Sequence, residues 1–255
     1  MAQSTSILIR VQARGGKFLG PDIGYSYVTV RDAATGALLA QSVAAGDSGQ
    51  LGTAFSSAAS TNVIVNGSTV NWLSPTSGSP SPTAGFLATF DLERPAIVEI
   101  AAAGMTSGVP NQSTASARMW IEPGAQLTQE PGLILEMAGL NVEILEPNPA
   151  QPPAAGQPVN VTAWVTMMCG CKIADDLSWP TDEFTITASL LDDSGTAVAS
   201  TTLTIETNNG QQVPSVFTGS LPCPSTSGDY QLVVTAVQPS LANNGGAALL
   251  LDLTS

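Results

Sequence analysis

The sequence predicts an all-β protein of two antiparallel β-sandwich domains in tandem. Apolar and polar residues alternate with a period of two along most segments, as in Ile7, Ile9 and Val11, which is the pattern of strands with one buried face. No segment sustains the 3.6-residue period of an amphipathic helix. The length of 255 residues corresponds to about two domains of ordinary size.

The first predicted domain comprises residues 1–139. Its strand candidates alternate and are bounded by Gly, Pro, Asp or Ser; they are residues 7–12, 25–31, 37–43, 62–65, 69–73, 85–92, 96–103, 115–121 and 132–137. The turn sequence Asp32-Ala33-Ala34-Thr35-Gly36 predicts a hairpin. Residues 6–14, 25–43 and 95–100 resemble the transthyretin-like, or carboxypeptidase-regulatory-like, domains. That resemblance implies scaffolding or recognition rather than chemistry, by analogy of fold.

The second predicted domain comprises residues 140–255. Seven evenly spaced strand candidates predict a sandwich; they are residues 141–146, 159–167, 184–191, 196–206, 213–219, 229–237 and 247–253. The segment Gly228-Asp229-Tyr230-Gln231-Leu232 resembles the tyrosine corner of immunoglobulin-like and fibronectin-type domains. The resemblance implies that the Tyr230 hydroxyl bonds to the backbone at the turn into the sixth strand.

Composition excludes several classes of partner. The chain has 20 acidic and 7 basic residues and a net charge of -13, which argues against binding to nucleic acid and to anionic membrane surfaces. No apolar stretch approaches the roughly 18 residues of a membrane span, so no membrane insertion is expected. The N-terminus shows no basic region followed by an apolar core. The compartment stays open between the cytoplasm and export with a leader absent from this sequence.

The chain contains no histidine. Histidine-dependent catalysis and imidazole metal sites are therefore excluded, although enzymatic activity of another kind stays open. Three acidic doublets occur, at Asp175-Asp176, Asp182-Glu183 and Asp192-Asp193. A glycosidase needs two carboxyls that face each other across a cleft, and neighbours on a strand point to opposite faces. We interpret the doublets as solvated turn residues, and a carboxylate-only hydrolase is a third alternative.

The segment Met167-Met168-Cys169-Gly170-Cys171 is the one candidate metal or redox site. If the strand continues through it, Met167, Cys169 and Cys171 project from one face. A thioether and two thiolates suit Cu(I); a thiol redox role, an intermolecular disulfide and simple core packing are the other interpretations. Uncharacterised bacterial all-β proteins carry a similar segment, and that resemblance implies no activity.

The third cysteine is predicted to lie apart from this segment. The tyrosine-corner resemblance puts Cys223 just before the sixth strand, whereas Cys169 and Cys171 follow the second. In a seven-stranded sandwich those connections lie at opposite ends, about 20 Å apart, and a disulfide needs Cα atoms within about 7 Å. We therefore predict no bridge from Cys223 to either of the other two cysteines.

These observations favour a non-catalytic structural or binding module that belongs to a larger assembly. Exposed edge strands need protection, for which Lys is the usual device, and seven basic residues provide little of it. We therefore expect a protein partner or homo-oligomer through edge strands, and no cofactor. The alternative is a Cu(I)-binding or thiol redox protein that uses Met167, Cys169 and Cys171.

Overall fold

A computed structural model describes residues 1–21, 24–48, 50–51, 60–65, 68–73, 83–106 and 113–255. The described chain is all-β, which confirms the predicted fold class. Its helices are two three-residue 3₁₀ turns, Thr181–Glu183 and Pro239–Leu241. Within these residues no helix has the length and apolar character that a membrane span requires. Two compact units are present, Met1–Ala138 and Gly139–Ser255.

Eleven strands lie in the described part of the first unit. They are β1 (Gln3–Ala13), β2 (Gly24–Asp32), β3 (Leu38–Val43), β4 (Gln50–Leu51), β5 (Ser60–Val65), β6 (Ser68–Leu73), β7 (Phe86–Leu92), β8 (Ala96–Thr106), β9 (Ser113–Ile121), β10 (Gln126–Leu127) and β11 (Leu133–Met137). One sheet has the order β3-β2-β8-β9, and a small one has the order β4-β6-β5. Strand β1 pairs with β7 on one side and with β10 and β11 on the other.

The core of the first unit follows from the alternation in its strands. The buried side chains Ile7, Ile9 and Val11 of β1 are spaced by two, as are Val98 and Ile100 of β8. Alternate side chains of a strand share one face, so each of these strands contributes one apolar row.

The predicted hairpin between β2 and β3 is confirmed. The Asp32 carboxylate accepts hydrogen bonds from the N–H groups of Ala34 and Thr35 at 2.9 and 2.8 Å. Gly36 has φ +73°, a conformation that glycine adopts without the steric cost paid by other residues. These two features close the turn and set the register of the hairpin.

The parallel pairings of β1 with β10 and β11 were not predicted. Strand β1 runs parallel to β10 and β11, with Ile9 opposite Leu133 and Ala13 opposite Met137. The first and last strands of the unit thus lie side by side. An alternating pattern reports which face of a strand is buried, but it does not report the partner strand or its direction.

The second unit contains all seven predicted strands. They are β12 (Leu140–Glu146), β13 (Val159–Met167), β14 (Thr185–Leu191), β15 (Ala197–Asn208), β16 (Gln211–Leu221), β17 (Gly228–Gln238) and β18 (Asn243–Leu253). Their order is β12-β13-β16-β15-β14-β17-β18, and every neighbouring pair is antiparallel. The two outer strands of this sheet, β12 and β18, meet. A Cβ on Gly245 of β18 would overlap the carbonyl oxygen of Leu140 in β12, which shows how closely the two backbones approach.

The hydrogen bond implied by the tyrosine-corner resemblance is present. The Tyr230 hydroxyl donates to the carbonyl oxygen of Thr226 at 3.2 Å. Tyr230 is the third residue of β17, and Thr226 lies in the connection that precedes this strand. The bond therefore ties the start of β17 to the preceding turn.

Candidate functional site

Strand β13 ends at Met167, and the chain turns there instead of continuing through Cys171. The Met167 carbonyl accepts a bond from the Gly170 N–H at 2.8 Å, and the Met167 N–H donates to the Cys171 carbonyl at 3.1 Å. Gly170 has φ +72°. This pattern is a three-residue hairpin loop with a glycine bulge. The condition for one row of Met167, Cys169 and Cys171, a continuous strand, is therefore not met.

The segment after the turn contacts both β13 and β16. Lys172 forms an isolated bridge with Thr166 of β13. The Ile173 N–H donates to the Ser215 hydroxyl at 3.0 Å, and the Ser215 N–H donates to the Ile173 carbonyl at 2.9 Å. Ser215 is fully buried and has φ +72°, so its backbone bends to meet this segment.

A buried amide holds the turn from the other side. Asn141 of β12 is fully buried, and its Nδ2 lies 3.0 Å from the Met167 carbonyl oxygen and 3.4 Å from that of Met168. The same Nδ2 lies 3.2 Å from the Thr166 hydroxyl. Buried carbonyls need such partners, so Asn141 supports the backbone that carries the sulfur segment.

The turn brings two thiols together. The Sγ atoms of Cys169 and Cys171 lie 2.9 Å apart, and a disulfide of about 2.05 Å requires them to approach by less than about 1 Å. Cys169 is fully buried, whereas Cys171 is partly exposed, and neither forms a disulfide. The pair thus has one sulfur directed into the protein and one within reach of solvent.

The methionines of the segment are part of the core. Met167 and Met168 have no exposed surface. Among the residues that the structure describes, no three Cys, Asp or Glu side chains converge as a metal site would require. A soft metal here would therefore depend on the two thiolates, with the thioether of Met167 in the same turn.

Cys223 lies at the opposite end of β13. In the pairing of β13 with β16, Val159 is opposite Leu221, and Cys223 follows Leu221 by two residues. The turn after Met167 is eight residues further along β13, about 26 Å away at 3.3 Å per residue. Burial raises the pKa of the Cys223 thiol, and a hydrogen bond with the Val159 backbone opposes that shift. The thiol is free.

Asp175 and Asp192, which belong to two of the acidic doublets, accept hydrogen bonds within turns. Asp175 accepts bonds from the hydroxyl and N–H of Thr181 at 2.6 and 2.9 Å and from Nε2 of Gln212 at 2.6 Å. These bonds, that of the Thr181 hydroxyl first, lower the pKa of Asp175, and bonds from Ser194 and Thr196 lower that of Asp192. A carboxyl with a lowered pKa does not suit the role of general acid, which supports the turn interpretation.

The sheet β3-β2-β8-β9 has an apolar patch on its outer face. Trp120 of β9 is 69% exposed, and its cross-strand partner Ile97 of β8 is 38% exposed. In the next row Arg118 lies opposite Glu99, and their side chains form an ion pair with Nε and Oε2 2.6 Å apart. Among the described strands β9 pairs with β8 alone, so its other edge carries no ladder there.

Sequence reasoning identified Cys169 and Cys171 but missed the residues that support them. Asn141 and Ser215 are both fully buried, and the only sequence signal is a polar residue within each of two strands of the second unit. No protein-family model matches this chain, and no curated protein is similar to it.

Proposed function

We propose that the protein is a non-catalytic structural or binding module of a larger assembly, with a transthyretin-like first domain and an immunoglobulin-like second domain. The strand order of the second unit supports the latter assignment. Within this order, β12-β13-β16-β15 and β14-β17-β18 follow the A-B-E-D and C-F-G orders of the immunoglobulin constant type, except that β15 also pairs with β14 and joins the two halves. The bond from Tyr230 to Thr226 is the second supporting feature.

The observation that carries a binding role is the edge of β9 that pairs with no other strand in the described part of the chain. This nine-residue strand, STASARMWI, contains neither Lys nor Pro, the residues that most often prevent edge pairing. Its exposed Trp120 adds apolar surface. An edge with unpaired backbone groups accepts an added strand from another chain, and we assign β9 of a second copy as that strand. Such a two-fold contact is self-complementary.

The test is the oligomeric state of a matched pair of variants. Ala117 is a partly buried residue of β9, and Ala117→Lys puts a charge at the pairing edge, which blocks strand addition. Thr35→Lys adds the same charge at the exposed β2–β3 turn. Light scattering after size exclusion should show a dimer for the wild type and Thr35→Lys and a monomer for Ala117→Lys. A wild type that stays monomeric at high concentration would overturn self-association.

A second candidate is a thiol function of the Cys169–Cys171 pair, either Cu(I) binding or redox. The adjacent sulfurs favour redox, because two thiols are sufficient for a disulfide. Among the described residues no third Cys, Asp or Glu joins them, whereas a tetrahedral metal site takes further ligands.

Anaerobic titration with Cu(I), read by absorbance and mass, distinguishes the two thiol functions. The redox assignment predicts equal, weak binding by the wild type, by Cys169→Ser/Cys171→Ser and by the control Cys223→Ser. Stoichiometric binding that is lost only in the double variant would replace redox with soft-metal binding.

A further inference from the structure

We propose that Cys171 and Cys169 form an asymmetric exchange pair, in which Cys171 attacks an external disulfide and Cys169 resolves the mixed disulfide. This inference rests on the thiol redox function proposed above. It adds a role for each sulfur and a class of substrate.

The two sulfurs differ in their exposure to solvent. Cys171 is partly exposed and Cys169 is fully buried. The sulfur that attacks an external disulfide must be accessible, and only Cys171 meets that requirement. Cys169 has no surface through which a substrate sulfur can reach it, but its Sγ already lies 2.9 Å from that of Cys171.

The turn that carries the two thiols is held rigidly by hydrogen bonds. Its backbone is held by the two bonds between Met167 and the residues Gly170 and Cys171, by the Asn141 amide, and by the pairing of Ile173 with Ser215. The resolving sulfur is therefore already near its target, and the second step needs little reorganisation.

A disulfide between Cys169 and Cys171 would be labile. The disulfide would close a loop of three residues, and the stabilisation that a cross-link provides by restricting the unfolded chain grows with loop length. A bond across so short a loop gains little in this way. It is therefore easily reduced again, as in catalytic or regulatory disulfides.

The exchange is balanced in two steps. The Cys171 thiol loses its proton to solvent, and the thiolate attacks one sulfur of R–S–S–R′, which forms Cys171–S–S–R and releases R′–S⁻ to take up a proton. The Cys169 sulfur then attacks the Cys171 sulfur and releases R–S⁻, which takes up the proton that the Cys169 thiol gives up. The substrate disulfide is reduced to two thiols, and the protein dithiol is oxidised to the Cys169–Cys171 disulfide.

The experiment uses the full chain and glutathione disulfide as the probe, with products read by mass and peptide mapping. The wild type and the control Cys223→Ser should lose two hydrogen atoms at residues 169 and 171 and retain no glutathionyl group there. Cys169→Ser should accumulate one glutathionyl group on Cys171. Cys171→Ser should react at Cys169 roughly tenfold or more slowly, because that sulfur is inaccessible.

The outcomes separate this inference from the function on which it rests. If the wild type forms no disulfide between residues 169 and 171, the thiol redox function is wrong and this inference with it. If the wild type closes the bond but Cys171→Ser traps glutathione at Cys169 as fast as Cys169→Ser does at Cys171, only the assignment of roles is wrong. Circular dichroism of each variant verifies that the fold is retained.

Discussion

The guanidinium of Arg10 holds the carboxylate of Glu130, with Nη2 2.8 Å from each carboxylate oxygen. Arg10 is only 2% exposed. Its Nε donates to the Pro131 carbonyl at 3.1 Å, and Nη1 donates to the carbonyls of Ala84, at 2.9 Å, and Thr83. Every nitrogen of this buried cation is thus paired, as a charge inside a protein requires.

Removal of this cation should strongly destabilise the first unit. Arg10→Met leaves the Glu130 carboxylate and three backbone carbonyls without their donor, and breaking a buried pair in this way costs about 3–5 kcal/mol. The matched control is Arg118→Met, whose exposed pair with Glu99 should contribute less than about 1 kcal/mol. Urea unfolding of both variants measures the difference. Equal losses would show that the Arg10 cluster is not the centre of stability inferred here.

The Cys169–Cys171 turn should depend on the left-handed backbone of Gly170. Gly170 has φ +72°, and a side chain in that conformation costs about 1–2 kcal/mol. Gly170→Ala should therefore destabilise the second unit by about that amount and slow closure of the disulfide. Gly170→Asn should recover part of both, because Asn tolerates this conformation better than Ala does. Equal effects of Ala and Asn would argue against the bulged turn.

The Asn141 amide should matter through its N–H groups rather than its size. Asn141→Ala leaves the carbonyls of Met167 and Met168 without this donor, at a cost of about 1–3 kcal/mol. Asn141→Asp keeps the shape but replaces the amide donor with a carboxyl group, and it should be at least as destabilising near neutral pH. Thermal unfolding and the rate of disulfide closure measure both effects. An Asp variant as stable as the wild type would contradict the role given to Nδ2.

Local sequence patterns predicted nine of the eleven described strands of the first unit and all seven of the second, because alternation reports burial of one face; the two-residue strands β4 and β10 are too short to show it. The Asp32–Gly36 turn and the Tyr230 bond were also predictable, since each depends on residues within a few positions of one another. Strand β1 shows the limit of this reasoning. Its alternation predicts one buried face, yet Arg10 and Gln12 on the other face are buried as well. Arg10 contacts residues distant in sequence, such as Glu130, whereas Gln12 donates to the Gly16 carbonyl just after the strand.

The sulfur turn was harder to predict from sequence. Met167, Met168 and Cys169 lack the Pro, Asn, Asp or Ser that usually marks a turn, and their apolar character favours continuation of the strand. The turn depends instead on Gly170 together with Asn141 and Ser215, which lie 29 residues before and 45 residues after it in the sequence. Such contacts follow from the strand order of the sheet, which alternation does not specify.

The Asp175 turn should make stability depend on acid pH. Hydrogen bonds from Thr181 and Gln212 lower the pKa of Asp175 below its ordinary value of 3.8. The unfolded chain therefore binds this proton first, so the stabilisation is present above pH 3.8 and is lost as the pH falls through the folded-state pKa. Melting temperatures measured from about pH 6 to about pH 3 should fall less steeply for Asp175→Asn than for the wild type.

The control for this titration is Asp176→Asn, which removes the same charge at the neighbouring position. It should alter the pH dependence less than Asp175→Asn does. If both variants change the acid limb equally, net charge rather than the Thr181 and Gln212 bonds determines it.

The closure of the second unit should be most sensitive at Gly245. A Cβ there would overlap the Leu140 carbonyl oxygen, whereas a Cβ at Gly246 would lie 3.2 Å from the Val234 carbonyl oxygen and 3.8 Å from Thr235 Cγ2. Gly245→Ala must therefore push β18 away from β12, at a cost of about 1–3 kcal/mol for overpacking. Gly246→Ala, the matched control, should cost less, because the Val234 carbonyl oxygen need move by only a few tenths of an ångström. Denaturant unfolding that ranks the two variants equally would show that the outer strands do not meet.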